Sequence, residues 1–171
     1  MTTITFLRHF QTAVDPETPV AQWQLSDEGR TAMEAFLDDH DFSRFDRVAT
    51  SPEPKAGRTA GRIAQQAGIP LREDQRLAEV DRSAEGFIDD HDRYLAQAEQ
   101  YLRDQAFDVD WEPRDQVRER MGAFLNDQGQ ENILAVTHGL ILTLTVAPRL
   151  GREPFPFWQD LGFGDTVGLD A

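Results

Sequence analysis

The run Ile133-Leu134-Ala135-Val136-Thr137 constrains this chain more than any other. Five successive residues, mostly apolar, make up one strand length without polar alternation. That pattern belongs to a strand buried on both faces, as in a parallel sheet covered by helices on either side. The run ends at His138-Gly139, and an apolar stretch of helical character follows from Leu140 to Leu150. The N-terminus has the same plan. Thr3-Ile4-Thr5-Phe6-Leu7 is β-branched, reads as a strand, and ends at Arg8-His9. Two strands therefore each run out onto a histidine.

Other elements follow from local signals. Ser26 is placed to cap a helix to about Asp38, with Ala32, Met33, Phe36 and Leu37 on one face. Arg47 to Thr50 reads as a short strand. Ser51-Pro52 turns the chain into a helix from about Pro54 to Ala67, which Gly68 and Pro70 stop. Leu71 to Leu77 is expected to be extended, and the acidic stretch from Asp89 to about Asp104 to be a solvated helix. Pro113 suits the first turn of a further helix with Val117, Met121, Phe124 and Leu125 spaced for burial. Thr166 to Leu169 is expected as a last, edge strand. With no repeat, linker or low-complexity tract, residues 1–171 read as one domain. Alternating strands and helices predict an α/β three-layer sandwich, its central sheet mostly parallel and flanked by helices.

Charge narrows the function. Against 31 acids stand 17 basic residues, a formal charge of −14. Such a surface speaks against nucleic-acid binding and against an anionic membrane. Half of the excess lies between Asp81 and Asp115, where eleven acids and four arginines give −7. Cysteine is absent, which removes disulfides, thiolate nucleophiles and Cys-ligated metals. No apolar run of about 18 residues is present, and Met1 to Arg8 lacks the features of a signal peptide. A cytoplasmic location is expected. Lys55 is the only lysine among sixteen arginines, which fits either GC-rich coding or adaptation to high salt.

The two histidines carry the chemistry. Ligands of open parallel sheets bind off the carboxyl ends of the strands. If the two strands are neighbours, His9, His138 and Arg8 meet in one crevice. A neutral imidazole is a nucleophile that can accept and release a phosphoryl group. The equatorial oxygens of that group need fixed donors, which a guanidinium supplies. No His-x-x-x-His spacing supports a metal site, so neither metal nor cofactor is expected.

Leu7-Arg8-His9-Phe10-Gln11-Thr12 resembles the Arg-His-Gly-Glu-Thr opening of the histidine phosphatase superfamily, which includes phosphoglycerate mutases. Four further blocks resemble the family in order. They are Leu25-Ser26-Asp27-Glu28-Gly29-Arg30, Ser51-Pro52 through Lys55-Ala56 to Thr59-Ala60, Leu77-Ala78-Glu79 with Glu85-Gly86, and Val136-Thr137-His138-Gly139. The resemblance implies a phosphoglycerate mutase-like fold and roles by position. His9 would be the nucleophile that becomes phosphohistidine, and Glu79 the general acid and then base. His138 and Arg8 would bind the phosphoryl group, with Gln11, Thr12 and Gly139 beside them.

Three departures stand out. Phe10 replaces glycine, Gln11 replaces an acid, and Lys55 stands where the family has its second phosphate-binding arginine. Lysine lacks the bidentate fork. Arg58, three residues on, is the alternative to Lys55. The expected function is metal-independent hydrolysis of a phosphomonoester, or of phosphohistidine on a partner protein. Mutase-type transfer is an alternative, as is a catalytically weak member that only binds phosphorylated ligands. The short chain and the acidic segment favour a small monoester over a bisphosphate.

Overall fold

The computed structural model describes residues 3–106 and 108–170. Among the described residues, five strands form one sheet: β1 (Thr3–Arg8), β2 (Arg47–Thr50), β3 (Leu71–Glu73), β4 (Ile133–Thr137) and β5 (Thr166–Asp170). Their order is β3-β2-β4-β1-β5. Every pairing is parallel except that of β1 with β5. The helices are α1 (Asp27–Asp39), α2 (Pro54–Ala67), α3 (His91–Leu102), α4 (Arg114–Asn126), α5 (Gly139–Val146) and α6 (Pro154–Asp160).

Strand alternation divides the interior into two cores. Leu134 and Val136 of β4 join Leu7 and Val48 in one core with Met33 and Leu37 of α1 and Ala60 and Ile63 of α2. Ile133 and Ala135 join Ile4, Phe6 and Ala49 in the other, with α3, α4, α5 and α6. β4 is buried throughout, as its unbroken apolar run requires. So is α5, an apolar helix with no solvent face.

Three elements differ from expectation. Leu71 to Leu77 is only half extended. After β3, Asp74 accepts the backbone N–H of Arg76 and starts a 3-10 turn, Gln75–Leu77. The acidic helix α3 is amphipathic rather than solvated, burying Gln97, Ala98, Tyr101 and Leu102. The helix after His138 stops at Val146 rather than Leu150. Pro148 has no N–H to continue it.

The Leu25–Gly29 block has a structural reason. Ser26 caps α1 by accepting the Gly29 N–H at 3.0 Å, and the Ser26 N–H donates to the Gln11 carbonyl at 2.9 Å. A Cβ on Gly29 would overlap that carbonyl oxygen and lie 2.9 Å from its carbon. The missing side chain lets α1 dock directly on the loop that follows His9. Gly29→Ala is therefore expected to destabilise the protein by about 1–3 kcal/mol, read as a lowered midpoint in denaturant. A midpoint equal to that of the wild type would refute this tight docking.

Candidate active site

β1, β4 and β2 end at one level because their registers align: Arg8 pairs with Thr137, and Thr50 with Val136. The ladder continues one step further. His9 N–H donates to Thr137 O at 3.0 Å and Ser51 N–H to Val136 O at 3.1 Å. Adjacent strand ends thus bring the His9 and His138 rings to a centroid separation of 5.0 Å. Both residues are buried.

A hydrogen bond fixes the tautomer of His9. His9 Nδ1 lies 2.7 Å from the Phe10 carbonyl, an acceptor only, so Nδ1 carries the proton and Nε2 keeps its lone pair. Ser51 Oγ accepts the Glu53 N–H at 3.2 Å and lies 2.7 Å from His138 Nε2. His138 Nδ1 is buried and has no partner among the described residues. Burial holds His9 well below 6.5, helped by His138, against the opposing pull of the Phe10 carbonyl. Burial, then the charges of Lys55 and Arg8, does the same for His138. Both imidazoles are neutral at pH 7.

Arg8 lies beside them. Its guanidinium sits 4.3 Å above the Phe163 ring, which itself lies 5.6 Å from the His9 ring. One terminal nitrogen donates to the Leu161 carbonyl, while Nε is buried without a partner among the described residues. Gly139 provides the room. A Cβ there would come within 3.2 Å of the Trp158 Nε1 and 3.3 Å of the Arg8 Cζ.

Lys55 enters from the first turn of α2. Its ammonium is buried, 2.6 Å from Glu53 Oε2 and 2.7 Å from the Val20 carbonyl. Its charge reaches both imidazoles. Arg58 does not join them. It is exposed, and its charge acts on Glu34 of α1. The expectation that Arg58 could replace Lys55 is corrected: i and i+3 share a face only loosely, and here Lys55 turns inward while Arg58 turns out.

Glu79 caps α5 from outside. Oε1 accepts the Val80 and Ile141 N–H groups at 2.9 Å each, and Oε2 accepts Leu140 N–H at 3.1 Å. Oε2, with a single donor, has the spare lone pair for a proton. The Glu79 N–H donates to Glu53 Oε1 at 2.8 Å. Gln11 and Thr12 instead meet the entry to α1, Gln11 through its carbonyl to Ser26 and Thr12 by a bridge to Leu25. The Gln11 side chain is exposed. Phe10 turns away from the site into the α1–α2 core, its ring 5.5 Å from that of Phe36.

Two features escaped the sequence reading. Arg120 grips Glu112 with two parallel bonds of 2.8 Å and donates to the carbonyls of Arg76, Ala78 and Glu79. This fork braces the segment that carries Glu79. Its signal was present, since Glu112 and Arg120 flank the helix after Pro113, but a helix-start acid is favoured by the dipole in any case. The second is Glu53, an acid two residues before the only lysine. Glu85 has a structural role: it accepts from Gln97, Trp111 and Arg93 and ties its loop to α3. Among the described residues no cluster of three or more His, Cys, Asp or Glu side chains is arranged to hold a metal ion. No described helix is long and apolar enough to cross a membrane.

Residues 4–167 match the sequence model of the histidine phosphatase superfamily, branch 1. The chain belongs to that superfamily. No curated protein matches it in sequence. Several solved structures share its fold. Bacillus stearothermophilus YhfR is 19% identical with a TM-score of 0.78, over 99% of this chain and 91% of that one. A mycobacterial glucosyl-3-phosphoglycerate phosphatase complexed with VO3 is 22% identical with a TM-score of 0.74, over 99% and 91%. A phosphoserine phosphatase from Entamoeba histolytica, in complex with phosphoserine, is 16% identical with a TM-score of 0.72, over 98% and 90%. In this superfamily member the two histidines and Arg8 lie at the sheet's carboxyl edge, where β1 and β4 end side by side.

Proposed function

We propose that this protein is a metal-independent phosphatase that hydrolyses a small phosphomonoester through a phosphohistidine on His9. One observation carries the reading: a neutral His9 whose Nε2 lone pair is free, beside two buried nitrogens without partners among the described residues, Arg8 Nε and His138 Nδ1. Buried polar groups are nearly always satisfied, so an unmet pair beside a nucleophile points to an anionic ligand. Two relatives of the same fold bear the names of phosphatases acting on phosphomonoesters.

His9 Nε2 attacks phosphorus and the P–O bond to the leaving group breaks. A proton from Glu79 Oε2 goes to the departing oxygen. Water then gives its proton to the Glu79 carboxylate and attacks phosphorus, the P–N bond breaks, and His9 is restored. Arg8, His138 and Lys55 hold the equatorial oxygens, providing the positive charge and donors that the transition state needs.

Phosphohistidine on a partner protein is the second substrate class, and the acidic segment from Asp81 to Asp115 calls for a basic partner. The test is phosphate release from a panel of phosphomonoesters and a phosphohistidine peptide, with and without chelator. Release that survives chelator is expected. A protein that binds phosphate yet turns over no substrate would establish a binder instead.

Arg120 gives a further prediction. Arg120→Lys keeps the charge and loses the fork to Glu112 together with several carbonyl contacts. It is expected to lower kcat about tenfold or more by loosening the Glu79 segment, while phosphate affinity stays near that of the wild type. An unchanged kcat would mean that the fork does not position Glu79.

A further inference from the structure

The pocket contains a carboxylate that the steps above leave unused. Glu53 occupies the N-cap position of α2, where an acid ordinarily accepts a helix N–H with its side chain, yet this side chain makes no such bond. It turns into the site and is buried. There Oε2 lies 2.6 Å from Lys55 Nζ. Oε1 accepts the Glu79 N–H at 2.8 Å and stands 3.4 Å from His138 Nε2. One carboxylate thus touches three groups assigned to phosphoryl binding and proton transfer.

We propose that Glu53 is a positioning residue that holds Lys55 and offsets its charge, so that the pocket binds the phosphoryl group without excess positive charge and releases phosphate readily. This rests on the phosphatase reading and deepens it. The tally of charges supports it. Glu53 lies against Lys55, both imidazoles are neutral and Glu79 brings the proton of the first step, so Arg8 is left as the one unopposed cation among these groups. Without Glu53 the charge of Lys55 would be unopposed as well, and the pocket would retain a dianion more strongly. Weak retention suits hydrolysis of a monoester. A mutase, by contrast, must keep a phosphorylated ligand in place between two transfers. The Val20 carbonyl, at 2.7 Å from Nζ, restrains Lys55 from the opposite side. With two acceptors engaged, one ammonium N–H is left for a phosphate oxygen.

Calorimetric titration of inorganic phosphate into the full chain at pH 7 tests the proposal without depending on turnover. Glu53→Gln keeps the shape and removes the charge, and it is expected to tighten phosphate binding about tenfold. In steady state its KM and kcat should both fall, as phosphate leaves more slowly. Lys55→Met leaves Glu53 without its cation and is expected to weaken phosphate binding about 100-fold. The double variant Glu53→Gln/Lys55→Met carries no unpaired charge, so it is the variant best placed to fold. It should recover binding to within about tenfold of the wild type.

A Glu53→Gln protein that binds phosphate no tighter than the wild type overturns the proposal. So does a double variant as weak as Lys55→Met alone. A Glu53 with a merely structural role would lower the melting temperature and leave phosphate affinity where it was. The phosphatase reading stands or falls separately, on whether wild-type phosphate release depends on His9.

Discussion

His9→Ala is expected to lower phosphate release by about 10⁴-fold or more, because it removes the atom that forms the covalent bond. The geometry makes this loss hard to bypass. His9 Nε2 keeps a free lone pair in the crevice, while His138 is anchored through Nε2 to Ser51 Oγ. Phosphate binding should survive in His9→Ala, since Arg8, His138 and Lys55 are untouched. The two measurements together separate chemistry from binding. Incubation with labelled substrate and rapid quenching should leave acid-labile label on the wild type and none on the variant. Full turnover in His9→Ala would end the phosphohistidine assignment. Because burial and His138 hold His9 well below 6.5, its neutral form persists as the pH falls through that value. Loss of activity as the pH falls through about 6 would then come from protonation of the substrate phosphate, whose second pKa is about 6, rather than from His9.

The parts of this molecule legible in its sequence are those decided locally. β1, β2, β4 and β5 lie where β-branched and apolar runs placed them, and α2 has the predicted bounds, Pro at its first turn and Gly68 at its end in the left-handed conformation, φ 67°. His9, His138 and Arg8 were legible because a strand end is a position in the chain before it is a position in space. Long-range partners were less legible. The acidic α3 read as solvated because of its charged residues. Tyr101 nevertheless reaches across to the Glu112 carbonyl at 2.8 Å and its ring packs 5.1 Å from Trp111. Arg120 serves the carbonyls of Arg76 and Ala78, which lie far away along the chain. No local pattern encodes that. Glu53 was passed over for a related reason: an acid before a helix reads as a cap, and only the rotation of its side chain away from the helix reveals another role. The choice between Lys55 and Arg58 was open for the same cause. The i, i+3 spacing allows both to face the pocket, and the packing of α2 against the sheet turns only Lys55 inward.

Glu79→Gln should lower kcat by about 10²- to 10⁴-fold, and the loss should depend on the leaving group. An alkyl phosphate releases a strongly basic alkoxide, so removing the proton on Oε2 slows the first step. p-Nitrophenyl phosphate releases a weakly basic phenolate that needs little help, so its first step should persist. The second step needs Glu79 as the base for water with either substrate. With p-nitrophenyl phosphate the variant should therefore give a burst of nitrophenolate close to one equivalent per site, followed by slow turnover and accumulated phosphohistidine. The substitution has a predictable structural cost. Two N–H donors, from Val80 and Ile141, hold Oε1 of Glu79, and the amide oxygen of the replacement side chain can remain there. Its amide nitrogen must then face the Leu140 N–H, and losing that bond costs about 1–3 kcal/mol. Thermal denaturation monitors that cost separately from the rate. Undiminished hydrolysis of an alkyl phosphate by Glu79→Gln would remove Glu79 from the proton path and direct attention to the other carboxylate in the pocket, Glu53, which lies 3.4 Å from His138.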